Sequence, residues 1–188
     1  MKKILYDFQP WVLNMKLLYT IQRYDISIFM RFVNVCLYEP LYYLCRLISK
    51  TGDGFLYVVI VIAVIWQAGI GNAFVQVVLA AFLLERPLYF VLKNSLKRNR
   101  PQAALNNFQS FIVPSDQFSF PSGHTSAAFM MATLGGEFWP VLALPLYGWS
   151  ICIGFSRVLL GVHFPSDVVI GAAMGTGIAY LSLYLLAL

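Results

Sequence analysis

The chain is dominated by apolar runs long enough to cross a lipid bilayer. The stretch "FLYVVIVIAVIWQAGIG", from Phe55, carries no charge at all. A spanning helix needs about 20 mostly apolar residues. Four further runs follow: from Asn72, from about Ser122, from Val141, and from Pro165 onward. Helices satisfy every backbone polar group within one segment, so these runs predict an all-α integral membrane protein with five clear spans. Composition agrees, with 60% hydrophobic and only 11% charged residues. Soluble domains carry about 45–50% apolar and about 25% charged residues.

Other segments are less uniform. Residues 1–25 mix Lys2, Lys3, Asp7, Lys16, Arg23 and Asp25 with apolar positions. That pattern lacks the apolar block and cleavage site of a leader, and predicts an amphipathic segment at the membrane interface. Residues 26–48 are apolar but include Arg31, Asn34, Glu39, Pro40 and Arg46. They fit either a bundle-facing span or a pair of interfacial helices. In the last run, Gly171, Ala172, Ala173, Gly175, Gly177 and Ala179 predict close helix approach. Cys36, Cys45 and Cys152 lie in apolar surroundings without CxxC spacing, and read as small buried thiols.

A net charge of +5 does not indicate nucleic acid. Lys93, Lys97, Arg98 and Arg100 cluster where one apolar run ends, which suits a membrane surface. Lys97 and Arg98 read as ordinary interfacial charge. Glu85 and Arg86 interrupt the Asn72 run. Adjacent helix positions diverge, so the two are not expected to bridge each other, and Glu39 is the candidate partner of Arg86.

Counting crossings brings three polar clusters to one face. The run from Asn72 ends near Lys93, the next begins at Ser122, and the Val141 run returns near His163. Lys93 to Pro101, Pro121 to His124 and Ser156 to Asp167 therefore share a face. Lys93, Arg100 and Arg157 can converge on a polyanion, with Arg offering a planar fork for phosphate oxygens. Pro121 and Ser122 read as a helix start, with Ser122 as its cap. The N–H groups of Ser122, Gly123 and His124 would then favour an anion. Gly161 can end one helix and Pro165 can start the next, leaving His163 in the turn. Asp167 lies four residues on, where it could fix the tautomer of His163. The two histidines are 39 residues apart without a carboxylate cluster, so no metal site is expected. Cations plus two histidines are the equipment for phosphoryl transfer.

These residues resemble the type 2 phosphatidic acid phosphatase (PAP2) superfamily, whose signature is K-x6-R-P, P-S-G-H and S-R-x5-H-x3-D. Here the parts read "KNSLKRNRP" from Lys93, "PSGH" from Pro121 and "SRVLLGVHFPSD" from Ser156. The match covers about residues 93–167, and "SKTGDG" before Phe55 looks family-like. The resemblance implies His163 as nucleophile, Asp167 as its orienting group and His124 as general acid and base. It implies Lys93, Arg100, Ser122, Gly123 and Arg157 as the phosphate-binding set, without metal or cofactor. It further implies a six-helix transmembrane bundle in residues 26–188, with the site on the outer face of a bacterial inner membrane. Residues 26–48 would then be the first span, with Glu39 facing the bundle and the N-terminal cations inside.

A lipid phosphate is the expected substrate, with membrane lipids as surroundings and no nucleic acid as partner. Undecaprenyl pyrophosphate, phosphatidylglycerophosphate, phosphatidic acid and lipid A phosphate all qualify. A phosphotransferase with a lipid acceptor is one alternative, and a non-catalytic transporter or scaffold is another. "FQSFIVP", from Phe108 to Pro114, is expected to be a lid that dips into the lipid.

Overall fold

The computed structural model describes residues 15–33, 39–114 and 116–187, with side chains from residue 20 onward. Within these, α1 (Met15–Val33), α2 (Glu39–Thr51), α3 (Phe55–Ala68) and α4 (Ala73–Leu96) precede the short α5 (Pro101–Ala104). The helices α6 (Gly123–Phe138), α7 (Ala143–Leu159) and α8 (Pro165–Leu185) follow, with a 3-10 turn at Pro140–Leu142.

Among the described residues, three segments are long and apolar enough to cross a membrane: Ala73–Leu96, Pro140–Leu159 and Pro165–Leu185. The pair α2 and α3, bent by 42° at residues 52–54, makes a fourth if it is one broken span. The outward surface is apolar, with Trp66, Leu144 and Tyr184 at least 80% exposed. Soluble monomers rarely expose so much apolar surface. The protein is an integral membrane protein.

The centre of the bundle is α6, which packs against α8, α7 and α4. At 16 residues it is about 24 Å long, shorter than a bilayer core of about 30 Å. It can be short because it is enclosed by its neighbours, and residues from Thr125 to Gly135 are almost all buried. The run expected from Ser122 is thus a short helix enclosed by its neighbours. Phe74, Val77, Val78, Met130, Leu134 and Ile178 form the main core around it.

The small residues of α8 act where expected, at two positions. A Cβ on Gly175 would lie 2.0 Å from the Ser126 carbonyl oxygen, and one on Gly171 would lie 2.6 Å from that of Ser122. Both obstacles are backbone, so α6 and α8 would have to separate. Gly175→Ala is expected to cost at least about 1–3 kcal/mol, the usual scale of overpacking. Gly177→Ala should be nearly neutral, since nothing lies within 4 Å of its added carbon. Thermal unfolding of both variants in detergent checks the contrast.

Two expectations need correction. Residues 26–48 are not one span. They are shared between the end of α1 and most of α2, and residues 34–38 lie outside the described residues. Both flanks are anchored at the same site, Asp25 by Arg98 and Ser166, and Ser49 by Arg157. A single crossing would have put them on opposite faces. The boundary expected at residues 25–26 falls inside α1, and Glu39 is exposed at the start of α2. Second, the cysteines are not uniformly buried: Cys45 is buried, Cys152 is exposed on α7, and Cys36 lies outside the described residues.

In the loop 108–114, expected as a lid, the two aromatic rings pack on the protein, while Val113 is 94% exposed. The Phe108 ring meets Phe29 edge-on at 5.2 Å, and Phe111 packs toward Tyr42. The Ser110 hydroxyl donates to the Gly161 carbonyl at 2.6 Å. Gly161 has φ +78°, and a Cβ there would meet the Phe108 ring at 2.6 Å. Helices take up both rings, Phe108 against α1 and Phe111 against α2.

Candidate active site

The turn between α7 and α8 carries His163. Gly161 breaks α7 with its positive φ, and Pro165 opens α8. The His163 ring is buried at 2% exposure. Its Nδ1 faces Asp167 Oδ2 at 3.7 Å, close for an ion pair but too long for a hydrogen bond. Its Nε2 lies 3.5 Å from Arg100 Nη1. Burial is the main influence on this imidazole and holds it neutral, down to about 3, with Arg157 and Arg100 adding to the effect and Asp167 opposing it.

His124 enters from the first turn of α6. Its Nε2 lies 2.8 Å from Asp53 Oδ1, in the turn between α2 and α3. Ser122 precedes it as N-cap residue, with extended backbone. The expected capping bond is not made: the Ser122 hydroxyl pairs with that of Thr125 at 2.9 Å. The Ser122 N–H donates to the Asp167 carbonyl at 3.0 Å, so it does not point at an anion. Gly123 lines the cavity, and a Cβ there would meet the Tyr89 ring at 2.8 Å.

The cations converge from three elements. Arg100 is buried; its Nη1 donates to the Val162 carbonyl at 2.7 Å, and its Nη2 pairs with Asp116 Oδ1. Lys93 donates to Asp116 Oδ2 at 2.7 Å and to the Tyr89 hydroxyl. Arg157 donates from Nη1 to Ser49 Oγ at 2.7 Å, while its Nε has no partner among the described residues. A cavity of about 760 Å³ gathers Arg100, Gly123, His124, Arg157 and His163 on its wall. Lys93, Ser122 and Asp167 stand behind that wall. The three clusters that crossing parity assigned to one face do meet.

Four residues outside the expected set complete the site. Asp116 holds Lys93 and Arg100 together. Burial raises its carboxyl, but bonds from Lys93, Arg100 and Tyr89 outweigh that and bring it down to about 2. Asp53 holds His124; the family-like "SKTGDG" was its only signal. Arg98 is not loose interfacial charge. It donates to Asp167 Oδ1 at 2.6 Å, Ser166 Oγ at 2.7 Å, Gln22 Oε1 at 2.8 Å and Asp25 Oδ2 at 2.5 Å. Asp25, on α1, also accepts from the Ser166 N–H at 3.0 Å.

These shifts give stability a definite pH slope. His163 has a folded value near 3 against an ordinary 6.5, so the unfolded chain binds more protons between those limits. Its contribution is complete above about pH 6.5 and fades as pH falls. Asp116 adds a second loss as pH falls from 3.8 toward 2. The melting temperature should fall on acidification from pH 7 to 4. His163→Asn should flatten that slope, and unfolding scans across the pH range read it directly.

The PAP2 superfamily sequence model matches residues 72–187, well over half the chain. The chain belongs to the PAP2 superfamily. It is 37% identical over 92 residues to decaprenylphosphoryl-5-phosphoribose phosphatase of Mycobacterium tuberculosis, covering 45% of this chain and 46% of that protein. It is 30% identical over 96 residues to lipid A 1-phosphatase of Rhizobium johnstonii, covering 49% and 39%. The aligned part thus spans less than half the length of these curated relatives. The crystal structure of Aquifex aeolicus LpxE superposes with TM-score 0.75 at 26% identity, covering 85% of this chain and 94% of that one. The PAP2-type phosphatidylglycerolphosphate phosphatase of Bacillus subtilis gives TM-score 0.70 at 25% identity, covering 88% and 86%.

Proposed function

We propose that this chain is a membrane lipid phosphatase that works through a phosphohistidine on His163, without a metal. The observation that carries the reading is one cavity wall holding a buried neutral imidazole, a second imidazole and two arginines. His163 Nε2 attacks phosphorus and the bond to the lipid oxygen breaks. His124 gives its proton to the leaving oxygen. Asp167 stabilises the proton on His163 Nδ1 as positive charge develops. His124 then takes a proton from water, which attacks the phosphohistidine and releases phosphate. Arg100, Arg157 and the opening N–H groups of α6 meet the equatorial charge, with Lys93 acting through Asp116.

A lipid phosphate suits a charged cavity at the surface of an apolar bundle. Phosphate release from a panel of lipid phosphates, with EDTA present and phosphohistidine trapping in parallel, tests the reading. Release with trapping supports a hydrolase. Trapping without release favours transfer to an acceptor lipid, and the absence of both release and trapping overturns both readings.

By analogy with the family, the proposed location of the site is the periplasmic face of a bacterial inner membrane. The positive-inside argument for that placement needed residues 26–48 to cross, and their two anchored flanks withdraw it. The site-face cations Lys93, Arg98 and Arg100 are instead accounted for by their ion pairs. Val113 is 94% exposed on that face. A cysteine there should react with a membrane-impermeant thiol reagent added outside cells; protection would reverse the orientation.

A further inference from the structure

Among the described residues, four buried polar side-chain atoms have no hydrogen-bond partner in the protein: Tyr57 Oη, Arg86 Nη2, Arg157 Nε and His163 Nδ1. All four residues line the same cavity. Arg157 and His163 belong to its phosphate end. Tyr57 and Arg86 do not, and nothing in the phosphoryl chemistry uses them. Leaving buried donors unmet is costly, so two in one cavity point to a ligand.

Their level in the cavity follows from two helices independently. From the turn before α3 and along that helix, the lining runs Asp53 and Gly54, then Tyr57 and Val58, then Val61 and Ile62. Along α4, in the opposite chain direction, it runs Tyr89 and Phe90, then Arg86, then Phe82, Leu79 and Val78. Asp53 meets His124, and Tyr89 meets Asp116, so both series begin at the charged end. Both finish in purely aliphatic and aromatic lining. The ring of Tyr57 lies 6.0 Å from that of Phe82, one turn from Arg86. Tyr57 and Arg86 therefore stand between the phosphate end and the lipid-tail end.

Charge decides what they fit. Arg86 is paired through Nε with the fully buried Glu85, which also accepts from Ser126 at 2.7 Å. The pair is neutral as a unit, and what remains is a directed N–H. A second phosphate at this level would find no net positive charge. An uncharged carbonyl oxygen, with two lone pairs, can accept from both Arg86 Nη2 and the Tyr57 hydroxyl. Ester and amide carbonyls of acyl lipids occur a few bonds from the phosphate, where the headgroup gives way to the tails.

We propose that Arg86 and Tyr57 form a carbonyl subsite, which makes the substrate an ester- or amide-linked acyl lipid phosphate rather than a polyprenyl phosphate. The proposal rests on the phosphatase reading above and specifies its substrate class. It also gives the Glu85–Arg86 pair a purpose. The expectation that Arg86 pairs with Glu39 is wrong, because flexible side chains on adjacent positions can bend to one side.

The test uses purified full-length protein in detergent. Phosphate release is measured on diacylglycerol phosphate, its dialkyl ether analogue without carbonyls, and polyprenyl mono- and diphosphates. Wild type should favour the diacyl over the dialkyl lipid about tenfold in kcat/KM, the effect of one good hydrogen bond. In Tyr57→Phe and in Arg86→Lys, which keeps a cation for Glu85, the ratio should fall toward one. A merely structural role would lower both rates together and leave the ratio intact, which overturns the proposal. Equal wild-type rates on the two glycerolipids overturn it too, as does a polyprenyl substrate cleaved as fast as the diacyl lipid; the phosphatase reading survives both results. No release from any lipid overturns the phosphatase reading and the carbonyl subsite with it.

Discussion

His163→Ala should lose at least about a thousandfold of its phosphate release and form no phosphoenzyme, on the scale of removing a nucleophile or general base. The variant should still fold, because the buried ring makes little use of protein hydrogen bonds and its Nδ1 has none. His124→Ala should behave differently. With an activated ester whose leaving group needs no proton, it should still build phosphohistidine on His163. Release should then stall, since the water lacks its base. Trapping on both variants separates the two roles. Equal trapping in His163→Ala and wild type would sink the assignment.

Arg98→Ala should harm both folding and chemistry. Arg98 is the shared partner of Asp25 and Asp167, whose side chains are 5% and 0% exposed. Breaking a buried ion pair by removing one member costs about 3–5 kcal/mol, because the other charge stays behind. Asp167 also accepts the Phe164 N–H at 2.8 Å, which fixes the start of α8 and the turn bearing His163. Activity should therefore fall beyond what lost folded protein explains. Arg98→Lys should rescue only in part, since a point charge cannot fork across four acceptors. The measurement is a double-mutant cycle in unfolding and kcat. Asp25→Asn should cost clearly more in wild type than in the Arg98→Met background. Additive costs would mean that the two residues do not act together.

Much of this site was legible because phosphoryl chemistry needs residue types that a membrane helix otherwise avoids. Arg157 and His163 stood out for that reason, and crossing parity alone joined them to Lys93 and His124. Asp116, Asp53 and Asp25 were harder to find. A carboxylate in a polar loop or near the N-terminus is unremarkable in sequence, and only tertiary placement gives it a cation. Arg98 is hidden for the same reason: in sequence its neighbours Lys97 and Arg100 make it one of a group, and its partners lie on α1 and α8. The helical class and the helix starts at Pro165 and Ser122 followed from local rules. The fate of residues 26–48 did not, because length and hydropathy cannot distinguish a crossing from two helices anchored on one side.

Asp116 gives the site a property of a different kind. The protein carries its own anion, tethered where Lys93 and Arg100 can hold it. On the proposed reading, an arriving phosphate meets an Arg100 already shared with a tethered carboxylate, and not an uncompensated field. Affinity is then set by an exchange between two anions. On that reading, a released phosphate would be held less firmly than bare cations would hold it.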